Sequence, residues 1–289
     1  LLVNKGLKAS ASGGAGGTKD VSVGGGFVPF QKIFILPVVH IKNASQAKKV
    51  VAQCRASGAP GVFLIGHYMP ATTVLNIFRK VRQANPDYWL GLNLIGHSAN
   101  EAFSQLPSDL RIDALWTDNA MVSDVGNQKR AKKVVKTRKA TNRGSDHCLY
   151  FGGVAFKGQA GIKENDLSAV TEAAAKGLMD VVTTSGPGTG IAADLGKIKT
   201  MSDAANSCGI PLAIASGVSQ ENLKSYVDAG ARFFLVASSI KKGFNGIDQA
   251  KLKSLLEEAR ILENKLPHES VSPFLGSFLG SSVEAQIAP

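Results

Sequence analysis

The chain has 289 residues, 44% of them hydrophobic and 19% charged, and its 33 Lys and Arg outnumber 22 Asp and Glu for a formal charge of +11. This composition excludes wholesale disorder, and no apolar run approaches the roughly 20 residues that a membrane-spanning helix needs. Three cysteines (Cys54, Cys148 and Cys208), odd in number and without a CxxC pair, exclude a disulfide scaffold and a cysteine-rich zinc module.

A reducing compartment, cytoplasmic or an organellar matrix, is the expected setting. The start at Leu1 in place of Met fits a trimmed precursor as well as a partial chain. Residues 1–30 read as a flexible Gly/Ser-rich extension, because the stretch from Lys8 to Gly26 offers almost nothing to bury. From residue 31 a rhythm of short apolar runs begins. They fall at 33–40 (IFILPVVH), 61–66 (GVFLIG), 89–95 (WLGLNLI) and 112–117 (IDALWT), then at 148–156 (CLYFGGVAF), 180–184 (DVVTT), 211–216 (PLAIAS) and 232–237 (RFFLVA). Starts spaced about 28 residues apart match one strand, one helix and two loops. Continuous apolar character fits strands covered on both faces, as in a parallel sheet.

The intervening segments read as helices. Ala44, Ala47, Val50, Val51 and Cys54 share one helical face, as do Leu252, Leu255, Leu256, Ala259 and Leu262. Asp166, Ser219 and Asp248 stand where N-caps are expected. Eight strand–helix repeats define an α/β chain folded as a (β/α)8 TIM barrel over residues 31–266, with an open doubly wound sheet as the alternative. Residues 267–289 form a Ser/Gly/Pro-rich C-terminal tail.

In such a barrel, working residues sit at the C-terminal ends of the strands. The sixth run leads into Ser185-Gly186-Pro187-Gly188-Thr189-Gly190, the seventh into Ser216-Gly217-Val218-Ser219 and the eighth into Ser238-Ser239-Ile240. Gly, Ser and Thr in such loops either make tight turns or cradle a phosphate with amides and hydroxyls. Their recurrence at adjacent strand ends makes Gly188, Thr189, Ser216, Gly217, Ser238 and Ser239 the expected ligand-binding set, for a small phosphorylated ligand. Lys157 closes the fifth run, where it could form a Schiff base, pair with an anion or reach to the rim. Gly152 and Gly153 before it leave room for a ligand or a close backbone contact. Asp118, after the fourth run, is the best-placed carboxylate for acid–base work, with Asn119 beside it. Asp124 reads equally as a helix cap. Asn93 in the third run either lines the mouth or is a satisfied core amide.

His40, His67 and His97 each follow a strand end, but no HxH or HExxH spacing accompanies them, so loop or substrate contact is expected and no metal. His147 and His268 have no such placement. Neither a P-loop nor a GxSxG elbow is present, and no cofactor is expected. From Lys129 to Arg143 run eight basic residues and no acid, with Ala131, Val134 and Val135 on an inward face. This helix is either a solvated face or a footprint for RNA, a membrane surface or an acidic protein partner.

From about Val38 to Arg260 the chain resembles the BtpA family, TIM-barrel proteins named for a member tied to photosystem I biogenesis. NAMVSDVG (119–126) resembles the family's GAMVTDQG-type segment, and DVVTTSGPGTG (180–190) its ADAVIVSGPATG-type segment. PLAIASGVSQENL (211–223) and FFLVASSIKKGFNGID (233–248) resemble the last two strand–loop units, which ribulose-phosphate-type and tryptophan-synthase-α-like barrels share. The chain differs from the family pattern at Gly66-His67-Tyr68 and at GGVAFKGQ, where Lys157 is kept but its polar neighbours are not. The resemblance implies a TIM barrel that is an enzyme of undefined substrate or an assembly factor. Two expectations follow. One is an enzyme-like barrel of lyase, isomerase or transferase type, with Lys157, Asp118 and Asn93 facing the reacting part of a phosphorylated ligand. The other is a structural or assembly subunit of a large complex, an oligomer or a complex member, attached through its basic helix and tails.

Overall fold

The computed structural model describes residues 32–123, 127–144, 148–159, 162–243 and 246–266. Both extensions lie outside the described residues, as do Asp124, His147 and His268. Strands β1 (Phe34–His40), β2 (Gly61–Ile65), β3 (Trp89–Asn93) and β4 (Ala114–Thr117) alternate with helices α1 (Ala44–Ala56), α2 (Ala71–Ala84), α3 (Ala99–Ser104) and α4 (Lys129–Ala140). The second half repeats the scheme with β5 (Leu149–Gly153), α5 (Leu167–Ala175), β6 (Val181–Thr184) and α6 (Leu195–Ser207). It ends with β7 (Leu212–Ala215), α7 (Gln220–Asp228), β8 (Phe233–Val236) and α8 (Gln249–Glu263). The eight strands are parallel and pair in chain order, and β8 closes on β1 through Leu36 opposite Leu235. The protein is a (β/α)8 TIM barrel. A two-stranded antiparallel flap, β9 (Lys241–Lys242) with β10 (Gly246–Ile247), follows β8.

The apolar strand runs serve two cores. Outward residues such as Ile35, Val39, Leu64 and Leu92 pack under the helices, where α1 presents Ala47, Val50, Val51 and Cys54. Inward residues fill the barrel in layers of four from alternate strands. Phe63, Trp116, Thr183 and Leu235 form one such layer by register. The layer above holds only Val38, Asn93, Gly153 and Ala215, too little side chain to fill the section. The upper barrel is therefore hollow down to Trp116 and Leu235.

Caps form where hydroxyl or carboxylate oxygens meet free amides. Asp248 accepts from Ala250 and Lys251 N–H at 3.0 and 3.2 Å. At α7 the amide of Ser219 donates to Asn222 Oδ1 at 2.9 Å. Asp166 differs from the expectation: it ends a 3-10 turn (Glu164–Asp166) with φ −97° and ψ −8°, and its side chain makes no capping bond. A backbone already turned helical does not aim the carboxylate back along the helix axis.

At the N-terminal end of the barrel, two buried ion pairs clamp neighbouring elements. Arg82 on α2 pairs with Asp113 at 2.5 Å and donates to Tyr88 O at 2.6 Å, while Asp113 accepts from Leu90 N–H at 2.7 Å. Arg138 on α4 pairs with Asp180 and donates to the carbonyls of Arg143 and Cys148, each at 2.6 Å; Asp180 accepts from Tyr150 N–H at 2.6 Å. Arg143 is buried too and donates to Pro107 O. Two of the eight cations read as an outer basic face are thus framework groups, and Arg143 lies beyond the end of α4. Six stay exposed.

Candidate functional site

A cavity of about 270 Å³ opens at the C-terminal end of the barrel. Its floor is Trp116 and Leu235, and its wall includes His40, His67, Asp118, Lys157, Thr189, Ser216, Gly217 and Ser238. Six of the nine residues expected from sequence line this one space. Asn93 stands just behind it: buried at the top of β3, its Nδ2 donates to Asp118 Oδ1 at 3.0 Å. Gly188 and Ser239 are not in the lining and brace it instead. Gly188 O accepts from Ser216 Oγ at 3.0 Å, and Ser239 Oγ donates to Val218 O at 2.7 Å.

Asp118 is placed by a close approach of two strand ends. A Cβ at Gly153 would lie 2.1 Å from Asp118 O, so only glycine permits this spacing. Gly153 thus serves a backbone contact, while Gly152 leaves room for the Met179 side chain. Gln159 Nε2 bridges the carbonyls of Asp118 and Gly153 at 2.7 and 3.0 Å. Burial holds the Asp118 carboxyl above the usual carboxylate range, against the Asn93 hydrogen bond and the Lys157 and His67 charges. Oδ1 is occupied by Asn93, and the other oxygen is available to a ligand.

On the neighbouring strand end, Lys157 Nζ contacts Thr189 Oγ1 at 3.2 Å and lies 5.6 Å from the centre of the Phe156 ring. Its amide donates to Ser185 Oγ at 2.8 Å. Ser216 has φ 114°, a conformation foreign to a non-glycine residue, and its hydroxyl accepts from Gly190 N–H at 2.9 Å. Gly217, at φ 68°, faces Ile191 O, which a Cβ would approach to 2.3 Å; Gly186 faces the same oxygen, at 2.1 Å. The β6–α6 loop is thereby wedged against the β7 loop with Thr189 facing Lys157.

His40 and His67 stack with ring centres 4.9 Å apart and planes 8° from parallel. They separate the cavity from a second hollow of about 470 Å³ bounded by Lys42, Tyr68, Met69 and Lys241. Burial, then the His67, Lys241 and Lys157 charges, push the His40 imidazole down to about 4. His97 lies apart, with Nδ1 3.3 Å from Ile95 O, and is not in the lining. Among the described residues no group of three or more His, Cys, Asp or Glu could hold a metal.

His40 makes one pH effect measurable. It stays neutral in the folded chain to about pH 4 but is protonated near 6.5 when unfolded, so the unfolded state binds the extra proton between those values. Its contribution to stability is complete above pH 6.5 and is lost as pH falls toward 4. Denaturant unfolding from pH 7.5 to 4 should show wild type losing more stability than His40→Gln across that window; parallel curves would refute it.

Sequence reasoning missed two groups. Trp116 is 6% exposed and lines the cavity floor, and its buried Nε1 has no hydrogen-bond partner among the described residues. Counting two residues back from Asp118 along β4 would have found it. Lys197, on the first turn of α6, reaches back to the carbonyls of Ala155 and Ser185 at 2.5 and 2.9 Å, and burial lowers its pKa. Nothing in its local sequence signals that reach.

The fold and this mouth define the class: a (β/α)8 barrel with a cavity at its C-terminal rim that polar groups line. Within that class, the chain belongs to the BtpA family, whose model matches residues 76–261. No curated protein sequence matches significantly. Among solved structures it is similar to the native KDPGal structure, at 13% identity and TM-score 0.58, covering 80% of this chain and 96% of that one. It is similar to 3-hexulose-6-phosphate synthase at 14% identity and TM-score 0.56, covering 78% and 99%. A third is (S)-3-O-geranylgeranylglyceryl phosphate synthase from Thermoplasma acidophilum in complex with sn-glycerol-1-phosphate, at 11% identity and TM-score 0.56, covering 80% and 94%. At these identities the likeness is one of fold. No helix among the described residues is long and apolar enough to cross a membrane.

Proposed function

We propose that the barrel mouth binds a small phosphorylated ligand, a sugar phosphate or phosphoribosyl compound, and acts on it by proton transfer. The reaction is then of lyase, isomerase or transferase type. One observation carries this reading: a single cavity gathers the Lys157 ammonium, the Thr189, Ser216 and Ser238 hydroxyls and Gly217 with Asp118, which Asn93 holds. Cation, hydroxyls and a glycine backbone suit a phosphate. A buried carboxyl whose pKa is raised by that burial suits a proton donor or acceptor. Asn93 fixes that carboxyl, and Trp116 closes the floor beneath it. Two of the similar folds carry the names of phosphate esters, which is in keeping with this reading.

The test is thermal stabilisation and calorimetric titration with inorganic phosphate, sn-glycerol-1-phosphate and ribose 5-phosphate. A ligand at 100 times its Kd should add about 2.7 kcal/mol to stability. Lys157→Ala should weaken binding about tenfold or more, the effect of losing a charged hydrogen bond. Absence of stabilisation by all three compounds, or equal binding by Lys157→Ala, would overturn the proposal.

A further inference from the structure

The six exposed cations of α4 and its approach are Lys129, Arg130, Lys132, Lys133, Lys136 and Lys139. Four exposed cations elsewhere on the helical layer pair with a carboxylate about one turn away. Lys176 pairs with Glu172, Lys199 with Asp203, Lys224 with Asp228 and Arg260 with Glu257, all three or four residues apart. On α4 no such pairing exists among the described residues, because the segment contains no acid.

The placement also works against the helix. Lys129, Arg130 and Lys132 occupy the first turn, where the free amides already carry positive partial charge. Gln128, the N-cap, adopts φ 54° and gives no side-chain cap. Like charges on that end oppose folding, so the stripe is not explained by stability of the free chain. An external anion would relieve it.

The chemistry of the stripe narrows the partner. The apolar side of α4, Ala131 and Val134, is spent on the barrel, so no free apolar face remains to enter a membrane. The large exposed apolar residues, Tyr68, Ile191, Leu195 and Ile261, lie on other segments. Protein interfaces take their affinity from buried aromatic and apolar anchors and are depleted in lysine. No aromatic side chain stands among the cations to stack a base. What remains is a row of mostly lysine point charges, about 15 Å long at 1.5 Å per helical residue, long enough to follow successive phosphates. We infer that the exposed face of α4 binds the sugar-phosphate backbone of a nucleic acid without reading its sequence. This is a site apart from the mouth cavity, whose lining contains none of the six.

The experiment is fluorescence anisotropy of the full chain with a labelled 20-nucleotide single-stranded RNA and a 20-base-pair DNA duplex across a sodium chloride series. With all six cations engaged, log Kobs should fall linearly against log salt with a slope of about −4 for the RNA and about −5 for the duplex. K132E/K133E/K136E should weaken binding at least tenfold and flatten the slope by about two or more. A matched reversal of exposed lysines on and after α8, K251E/K253E/K265E, should leave the slope and most of the affinity in place. Melting curves for all three proteins confirm that each is folded. The inference fails if neither nucleic acid binds, if both triple variants behave alike, or if only poly-L-glutamate binds the stripe, which would assign it to an acidic protein.

Discussion

Arg138→Met is expected to destabilise the barrel by about 3–5 kcal/mol in chemical denaturation, the usual cost of stranding one member of a buried ion pair. Arg138 is 7% exposed, and its removal takes three hydrogen bonds at once, to Asp180 and to the carbonyls of Arg143 and Cys148. Its guanidinium also lies 5.9 Å from the ring centres of Phe103 and Tyr150. What remains is a buried carboxylate held by the Tyr150 amide. Arg138→Met with Asp180→Asn should recover a large part of the loss, because the amide keeps an acceptor for Tyr150 N–H and carries no charge. A single variant that loses under about 1 kcal/mol, or a double variant no better than the single, would show that the charge pair is not what holds this corner.

Gly217→Ala should reduce affinity for inorganic phosphate by tenfold or more. Alanine at φ 68° meets the ordinary left-handed penalty of about 1–2 kcal/mol. It also sets a methyl 2.3 Å from Ile191 O, so the β6–α6 loop must lift from the β7 loop. That movement takes Thr189 away from Lys157 and breaks the Ser216 bridges to Gly188 and Gly190. Gly209→Ala is the control: its φ is 73°, but nothing lies within 4 Å of the added carbon. It should lose comparable backbone energy and keep phosphate affinity. Calorimetric titration of both variants separates strain from displacement, and equal phosphate binding by the two would sink the assignment of Gly217.

Much of this architecture was legible before any coordinates. Strands buried on both faces read as unbroken apolar runs, so all eight were visible, within one or two residues of their length except 148–156 against Leu149–Gly153. The rule that strand ends carry the site brought Asp118, Lys157, Thr189, Ser216, Gly217 and Ser238 together. What stayed hidden depends on register and reach. The stacking of His40 on His67 and the Asn93–Asp118 bond join residues 27 and 25 apart along the chain, a matter of which strand level faces which. Arg138 and Arg143 look like their exposed neighbours because composition counts charge and is blind to burial.

The wedge formed by Ile191 carries a consequence for divergence. Its carbonyl is gripped between Gly186 and Gly217, Gly188 and Gly190 are tied to Ser216, and Ala193 O is held by the Tyr226 hydroxyl at 2.9 Å. A segment pinned at so many successive residues has a fixed contour length. Barrels commonly change their chemistry by lengthening or shortening rim loops, and that route is shut here. Descendants of this chain would have to alter selectivity by exchanging side chains at Thr189 and Ile191, or by remodelling the opposite rim at Tyr68, which is fully exposed.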